Sequence, residues 1–75
     1  MNSATKKRAT FSECRKLKGS QSSVAEQLGI STVYVRMIEN GIHTPGRDLM
    51  FRFSEYFGRP VEELFPDYFD KLGSI

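Results

Sequence analysis

Apolar residues fall along this chain in short clusters at helical spacing, punctuated by glycines, and no stretch alternates in the manner of a strand. In residues 21–28, Val24, Ala25 and Leu28 stand at i, i+1 and i+4, one face of a helix. Gly29 follows. A residue without Cβ takes the left-handed conformation at no steric cost, so the helix is expected to stop there. A second helix begins at once. Ser31 is a good N-cap, and Ile30 and Val35 flank it as a hydrophobic staple. Val35 and Ile38 then share one side, and Gly41 closes the segment. Upstream, Thr10 and Glu13 have the spacing of a capping box. Phe11 and Cys14, with Leu17 and the stem of Lys18, form the inner face of a first helix ending at Gly19. Downstream, Met50, Phe53 and Phe57 recur at i, i+3 and i+7, with Leu49 and Phe51 widening the stripe, until Gly58. Pro60 suits the first turn of a short fifth helix running to Phe65, and Pro66 is read as its end. The pattern predicts an all-α fold, a compact five-helix domain.

Two short helices joined by a tight turn over residues 21–40 can lay the second helix in a DNA major groove. Projected at about 100° per residue, residues 32–40 separate into two faces. Val35 and Ile38 face the core. Thr32, Val33, Arg36, Met37 and Asn40 face outward. Arg36 suits a bidentate contact to guanine O6 and N7, or a phosphate. Thr32 can bond a base edge or a phosphate. Val33 and Met37 either meet thymine methyl groups or pack against the neighbouring loop. Ser31 and the backbone N–H groups at this helix start form an anion site. Asn40, His43 and Thr44 would track phosphates on the other side, fixing register without reading sequence. Tyr34 points between core and solvent, with a phosphate contact as its second reading.

The elements Arg15, Ser20-Gln21, Val24-Ala25, Gly29-Ile30-Ser31, Ile38-Glu39-Asn40-Gly41, Pro45 and Val61-Glu62-Glu63-Leu64-Phe65 stand in one register. Together they resemble the Cro/repressor-type helix-turn-helix family of phage repressors and bacterial regulators, over roughly Phe11 to Phe65. The resemblance implies a lambda-repressor-like DNA-binding fold. It also implies that bases are read mainly from the first, second and sixth positions of the recognition helix, here Thr32, Val33 and Met37. By the same resemblance Gln21 holds a phosphate and buttresses the recognition helix. Ser22 or Ser20 shares that role or simply caps the helix. Arg15 and Glu39 would form a partly buried ion pair between the first helix and the recognition helix. The chain departs from the family in two places. The turn before Ser20 is one residue short, and the reading positions lack the Gln or Asn common in phage relatives, so their operators do not transfer.

At 75 residues the chain is expected to hold one small core. Residues 1–9, with Lys6, Lys7 and Arg8 in a row, read either as a solvated terminus or as a flexible basic arm on DNA; residues 10–66 as the helix-turn-helix domain; residues 67–75 as a tail. Net charge is only +2, but residues 1–47 hold eight Lys/Arg against three Asp/Glu, and residues 48–75 three against six. A positive N-terminal part fits a DNA-facing surface. Phe65, Tyr68, Phe69, Leu72 and Ile75 crowd the C-terminus, and either cap the domain's own core or form a homodimer interface. A two-fold dimer through the fourth and fifth helices and this tail would place two recognition helices about 34–36 Å apart on an inverted repeat.

One Cys and one His exclude a disulfide and a zinc site. No carboxylate pair or phosphate-cradling glycine loop suggests a catalytic residue or cofactor, so an enzyme is not expected. The polar start MNSATKKRAT lacks the apolar core of a signal peptide, and no segment approaches the roughly 20 apolar residues of a membrane span. A cytoplasmic, nucleoid-associated protein is expected. Its partner is double-stranded operator DNA and its function that of a repressor or Cro- or controller-type switch. The alternative is a helix-turn-helix module that binds a partner regulator protein, as an antirepressor or antitoxin does.

Overall fold

The computed structural model describes residues 7–73, with side chains as far as Phe69. Six helices follow one another: α1 (Ala9–Lys18), α2 (Gln21–Leu28), α3 (Thr32–Glu39), α4 (Arg47–Phe57), α5 (Val61–Leu64) and α6 (Pro66–Gly73). The all-α, lambda-repressor-like fold stands, with a sixth helix added. Pro66 does not end the fifth helix; it opens the sixth, where its missing N–H would have found no partner. Pro60 likewise sits one residue outside α5, as its N-cap.

The core forms where the apolar faces of the helices converge. Phe11 from α1, Val24 from α2, Val35 and Ile38 from α3, Phe53 from α4 and Leu64 and Phe65 from α5 and its C-cap are wholly buried. Phe11 lies at its centre, edge-on to Phe53 at 4.9 Å, to Phe57 at 5.2 Å and to Phe65 at 5.8 Å between ring centroids. Edge-to-face geometry sets the positive rim of one ring against the negative face of another. Phe65 is therefore core and not a subunit contact, because the turn into α6 drives its ring inward. Two other apolar residues go the opposite way. Leu17 is 88% exposed and Phe51 is 58% exposed. Leu17 falls on the outer side of α1, and its neighbour Lys18 lays its ammonium over the Tyr56 ring instead.

The caps explain where the helices begin and end. Ser20 Oγ accepts from the Ser23 N–H at 3.1 Å, and Ser31 Oγ accepts from the Tyr34 N–H at 3.0 Å. Thr10 is not a cap: α1 starts a residue earlier, and its N-cap position is Arg8, without a side-chain capping bond. At the end of α2, the Ile30 N–H reaches back to Ala25 O and the Gly29 N–H to Glu26 O, with Gly29 at φ 71°. This paired closure turns the chain sharply into α3.

Gly19 resolves the shortened turn between α1 and α2. It takes φ 146°, and a Cβ there would collide with Ser23 Oγ. Only a residue without a side chain lets α2 start two residues after α1 ends. Gly19→Ala is thus expected to lower the melting temperature by more than Gly29→Ala, whose Cβ would meet open space. A loss of about 1–2 kcal/mol at Gly29 corresponds to roughly 4–16 °C in a domain this small. Thermal unfolding by circular dichroism checks the order of the two.

Candidate DNA-binding surface

Helix α3 owes its orientation to what it buries. Val35 and Ile38 are fully buried and Glu39 is 2% exposed. The opposite side carries Thr32, Val33, Arg36 and Met37, at i, i+1, i+4 and i+5. Val33 and Arg36 are exposed, Thr32 and Met37 partly so. The four residues expected to read bases therefore share one accessible face.

The residues expected at phosphates ring this face. Ser31, at the N-terminus of α3, is exposed, and its oxygen is engaged as the cap. Ser22 is exposed on the first turn of α2, while Ser20 performs the capping. Gln21 is half-buried and sends its amide N–H to Glu39 Oε1 at 3.4 Å, which leaves the second N–H of that amide free to donate outward. Beyond the C-terminus of α3, Asn40 is its C-cap, and the Ile42 N–H bonds Met37 O at 2.9 Å. This fold-back brings His43 beside Tyr34: Nε2 lies 2.9 Å from the Tyr34 hydroxyl, with ring centroids 4.8 Å apart. In either neutral tautomer of His43 one donor of the pair stays free, the Nδ1–H or the tyrosine O–H. Thr44 is exposed.

Glu39 holds the helices in register. Its carboxylate accepts from Arg15 Nε and Nη2, both at 2.8 Å, from Ser12 Oγ at 2.8 Å and from Gln21 Nε2. Three helices thus meet at one charge, whose partner Arg15 is itself only 13% exposed at its side chain. Burial alone would push the Glu39 carboxyl up. The hydrogen bonds from Arg15, Ser12 and Gln21, and the charge of Arg15, outweigh it and lower the pKa from 4.5 to about 2. In return the carboxylate raises the pKa of Arg15, chiefly through their hydrogen bond.

The structure also places a residue that sequence reading assigned to a mobile arm. Arg8 is 3% exposed and spends all five guanidinium donors inside the protein. Nε and Nη2 grip the Asp67 carboxylate at 2.9 and 2.8 Å. Nη1 bonds Ile38 O at 2.6 Å and His43 O at 2.9 Å, and Nη2 also bonds Thr44 Oγ1 at 2.9 Å. The flexible arm expected over residues 1–9 is corrected from Arg8 onward, because Asp67 supplies a buried cation with its counter-charge. Lys6 lies outside the described residues. The usable signal was Pro66-Asp67, a helix start with an acid in its first turn. Among the residues expected at a dimer contact, Tyr68 and Phe69 are half-buried around a groove also lined by Arg47, Met50, Phe51 and Val61. The Leu72 side chain and Ile75 lie outside the described residues.

Residues 12–64 match the helix-turn-helix family model, and the chain belongs to this Cro/repressor-type family of DNA-binding regulators. No curated protein and no solved structure matches it. Among the described residues no helix is long and apolar enough to cross a membrane.

Glu39 binds fewer protons folded than unfolded between its two pKa values. Its stabilisation is therefore complete above pH 4.5 and is lost as pH falls toward about 2. A shift of this size corresponds to about 3 kcal/mol. Glu39→Gln should flatten the acid limb of the stability curve over that window, and Arg15→Ala should cost about 3–5 kcal/mol by stranding a buried carboxylate. Urea titrations from pH 2 to 7 measure both; an Arg15→Ala protein as stable as wild type contradicts the role.

Proposed function

We propose that this protein is a sequence-specific transcriptional regulator, a repressor or Cro- or controller-type switch, that binds an inverted-repeat operator as a homodimer. The observation that carries the reading is the division of α3. Its inner face is fixed by Val35, Ile38 and the Glu39 ion pair, so its outer face is presented on a rigid support. Arg36 then reads guanine by a bidentate contact, and Thr32 bonds a neighbouring base edge or phosphate. Val33, 50% exposed, and Met37 pack on thymine methyl groups, where apolar contact with the protein replaces contact with water. Gln21, Ser22, Ser31, Tyr34, Asn40, His43 and Thr44 hold the flanking phosphates and set the docking angle.

A two-fold dimer follows from the surface that the core leaves uncovered. With Phe65 buried, the apolar contact falls to Phe51 on α4 and to Tyr68 and Phe69 on α6. The second reading, a module that grips a partner regulator protein, draws on the same exposed Val33 and on Ile42, 57% exposed. Salt separates the two, since only binding to phosphates weakens steeply through counterion release.

Selection from a random duplex library at about 150 mM salt, near the physiological level, is expected to enrich an inverted repeat with recurrent thymines. Replacing those thymines by uracil should weaken binding, and Arg36→Ala should cost about 1–3 kcal/mol and relax one base position. A folded protein that enriches nothing overturns the DNA reading. Sedimentation tests the dimer: Phe51→Glu should shift the protein to monomer without lowering its melting temperature, and a wild type that is monomeric with and without DNA contradicts it.

A further inference from the structure

We propose that Arg8 is a positioning residue that holds the loop after the recognition helix in its DNA-binding shape, with Asp67 of α6 fixing the guanidinium in place. The inference rests on the DNA-binding reading above. Its ground is the way this loop is tied down. The loop leaves α3 through the hydrogen bonds of Gly41, Ile42 and His43 to the carbonyls of Ile38 and Met37. After that the backbone runs out of partners. Thr44 and Pro45 make no backbone–backbone hydrogen bond among the described residues, and the next such bond is Met50 N–H to Gly46 O. Pro45 is buried and anchors the far side.

Between these points, Arg8 Nη1 takes the carbonyls of Ile38 and His43 together, and Nη2 takes the Thr44 hydroxyl. One planar group thereby sets the distance from the last turn of α3 to residues 43–44. The Arg8 backbone N–H adds a bond to Glu39 O at 2.9 Å. Arg8 is too buried to reach DNA itself. Any effect it has on binding passes through His43 and Thr44, the side chains expected at the phosphates, and through the His43–Tyr34 pair.

Asp67 makes this clamp depend on the C-terminal helix. Its carboxylate takes the Nε and Nη2 edge of the fork, and the guanidinium lies 5.1 Å from the centroid of the Phe65 ring. Half of the Asp67 side chain is solvent-exposed, so it can be truncated without opening the core. A displaced α6 would withdraw the counter-charge, and the loop would lose its brace. The helix beside the apolar groove is in this way connected to one edge of the recognition surface.

Asp67→Ala separates this account from bulk electrostatics because the two predict opposite signs. Removing a negative charge should by itself tighten binding to any duplex. The positioning account predicts weaker binding: about a tenfold loss on a mixed-sequence duplex, with the slope of log K against log salt reduced by about 1 as one phosphate contact is lost. Arg8→Lys keeps the charge but cannot form the fork, so it should show the same loss rather than a rescue. Amide hydrogen exchange without DNA supplies the independent readout. The Ile42 and His43 amides should exchange about tenfold faster in both variants, beyond any change at the Val24 and Val35 amides of the core. Loop exchange equal to wild type after that correction, or an unchanged salt slope with equal or tighter binding, overturns the proposal. A wild type that binds no duplex, with loop exchange still accelerated in the variants, overturns the DNA reading and leaves the clamp standing as structural.

Discussion

The C-terminal turn of α3 is where this small protein is held together. Glu39 carries a charge that is almost wholly removed from water, a costly arrangement unless every lone pair finds a donor. Arg15 and Ser12 from α1 and Gln21 from α2 supply the donors, and among the described residues no buried side-chain polar atom is left unpartnered. Because these donors stand on two other helices, they bond the carboxylate together only in one relative placement of α1, α2 and α3. Apolar contacts between Val24, Leu28, Val35 and Ile38 would tolerate some sliding. The charge does not.

The consequence for function lies on the other side of the same helix. Three neighbouring groups at the end of α3, the Glu39 side chain, the Glu39 carbonyl and the Ile38 carbonyl, all bond arginines or their backbone from the first helix and its N-cap. Cations at a helix C-terminus also complement its dipole. Val33, Arg36 and Met37 are thus displayed on a helix whose roll is fixed one face away. A recognition surface needs that rigidity, since a bidentate contact to a base tolerates little rotation.

Much of this was legible in the chain itself, for local reasons. Ser20, Gly29, Ser31 and Gly41 mark helix ends through backbone hydrogen bonding, which depends on few distant residues. Phe11, Phe53 and Ile38 follow from periodicity. The ion pair between Arg15 and Glu39 was suggested by family resemblance, since nothing in local spacing pairs residues 24 positions apart. The misreadings have a common cause. Arg8 in a run of basic residues looks solvated until Asp67, 59 positions away, is brought to it. Pro66 was taken as a stop when it begins α6, and that start is what turns Phe65 into the core. Leu17 was assigned inward by a spacing that α1 does not keep at its last turn. Each depends on tertiary contact with the C-terminal helix.

The most direct test of the account is an amide chemical-shift map of the isotope-labelled protein, titrated at about 150 mM salt with an inverted-repeat duplex of its own selection. If the outer face of α3 reads DNA, the largest shifts fall on Thr32, Val33, Arg36 and Met37, flanked by Gln21 and residues 40–44. The amides of α4 move only as far as a dimer contact requires. Shifts centred instead on the face of Phe51, Val61 and Tyr68, with the α3 amides unmoved, would contradict it.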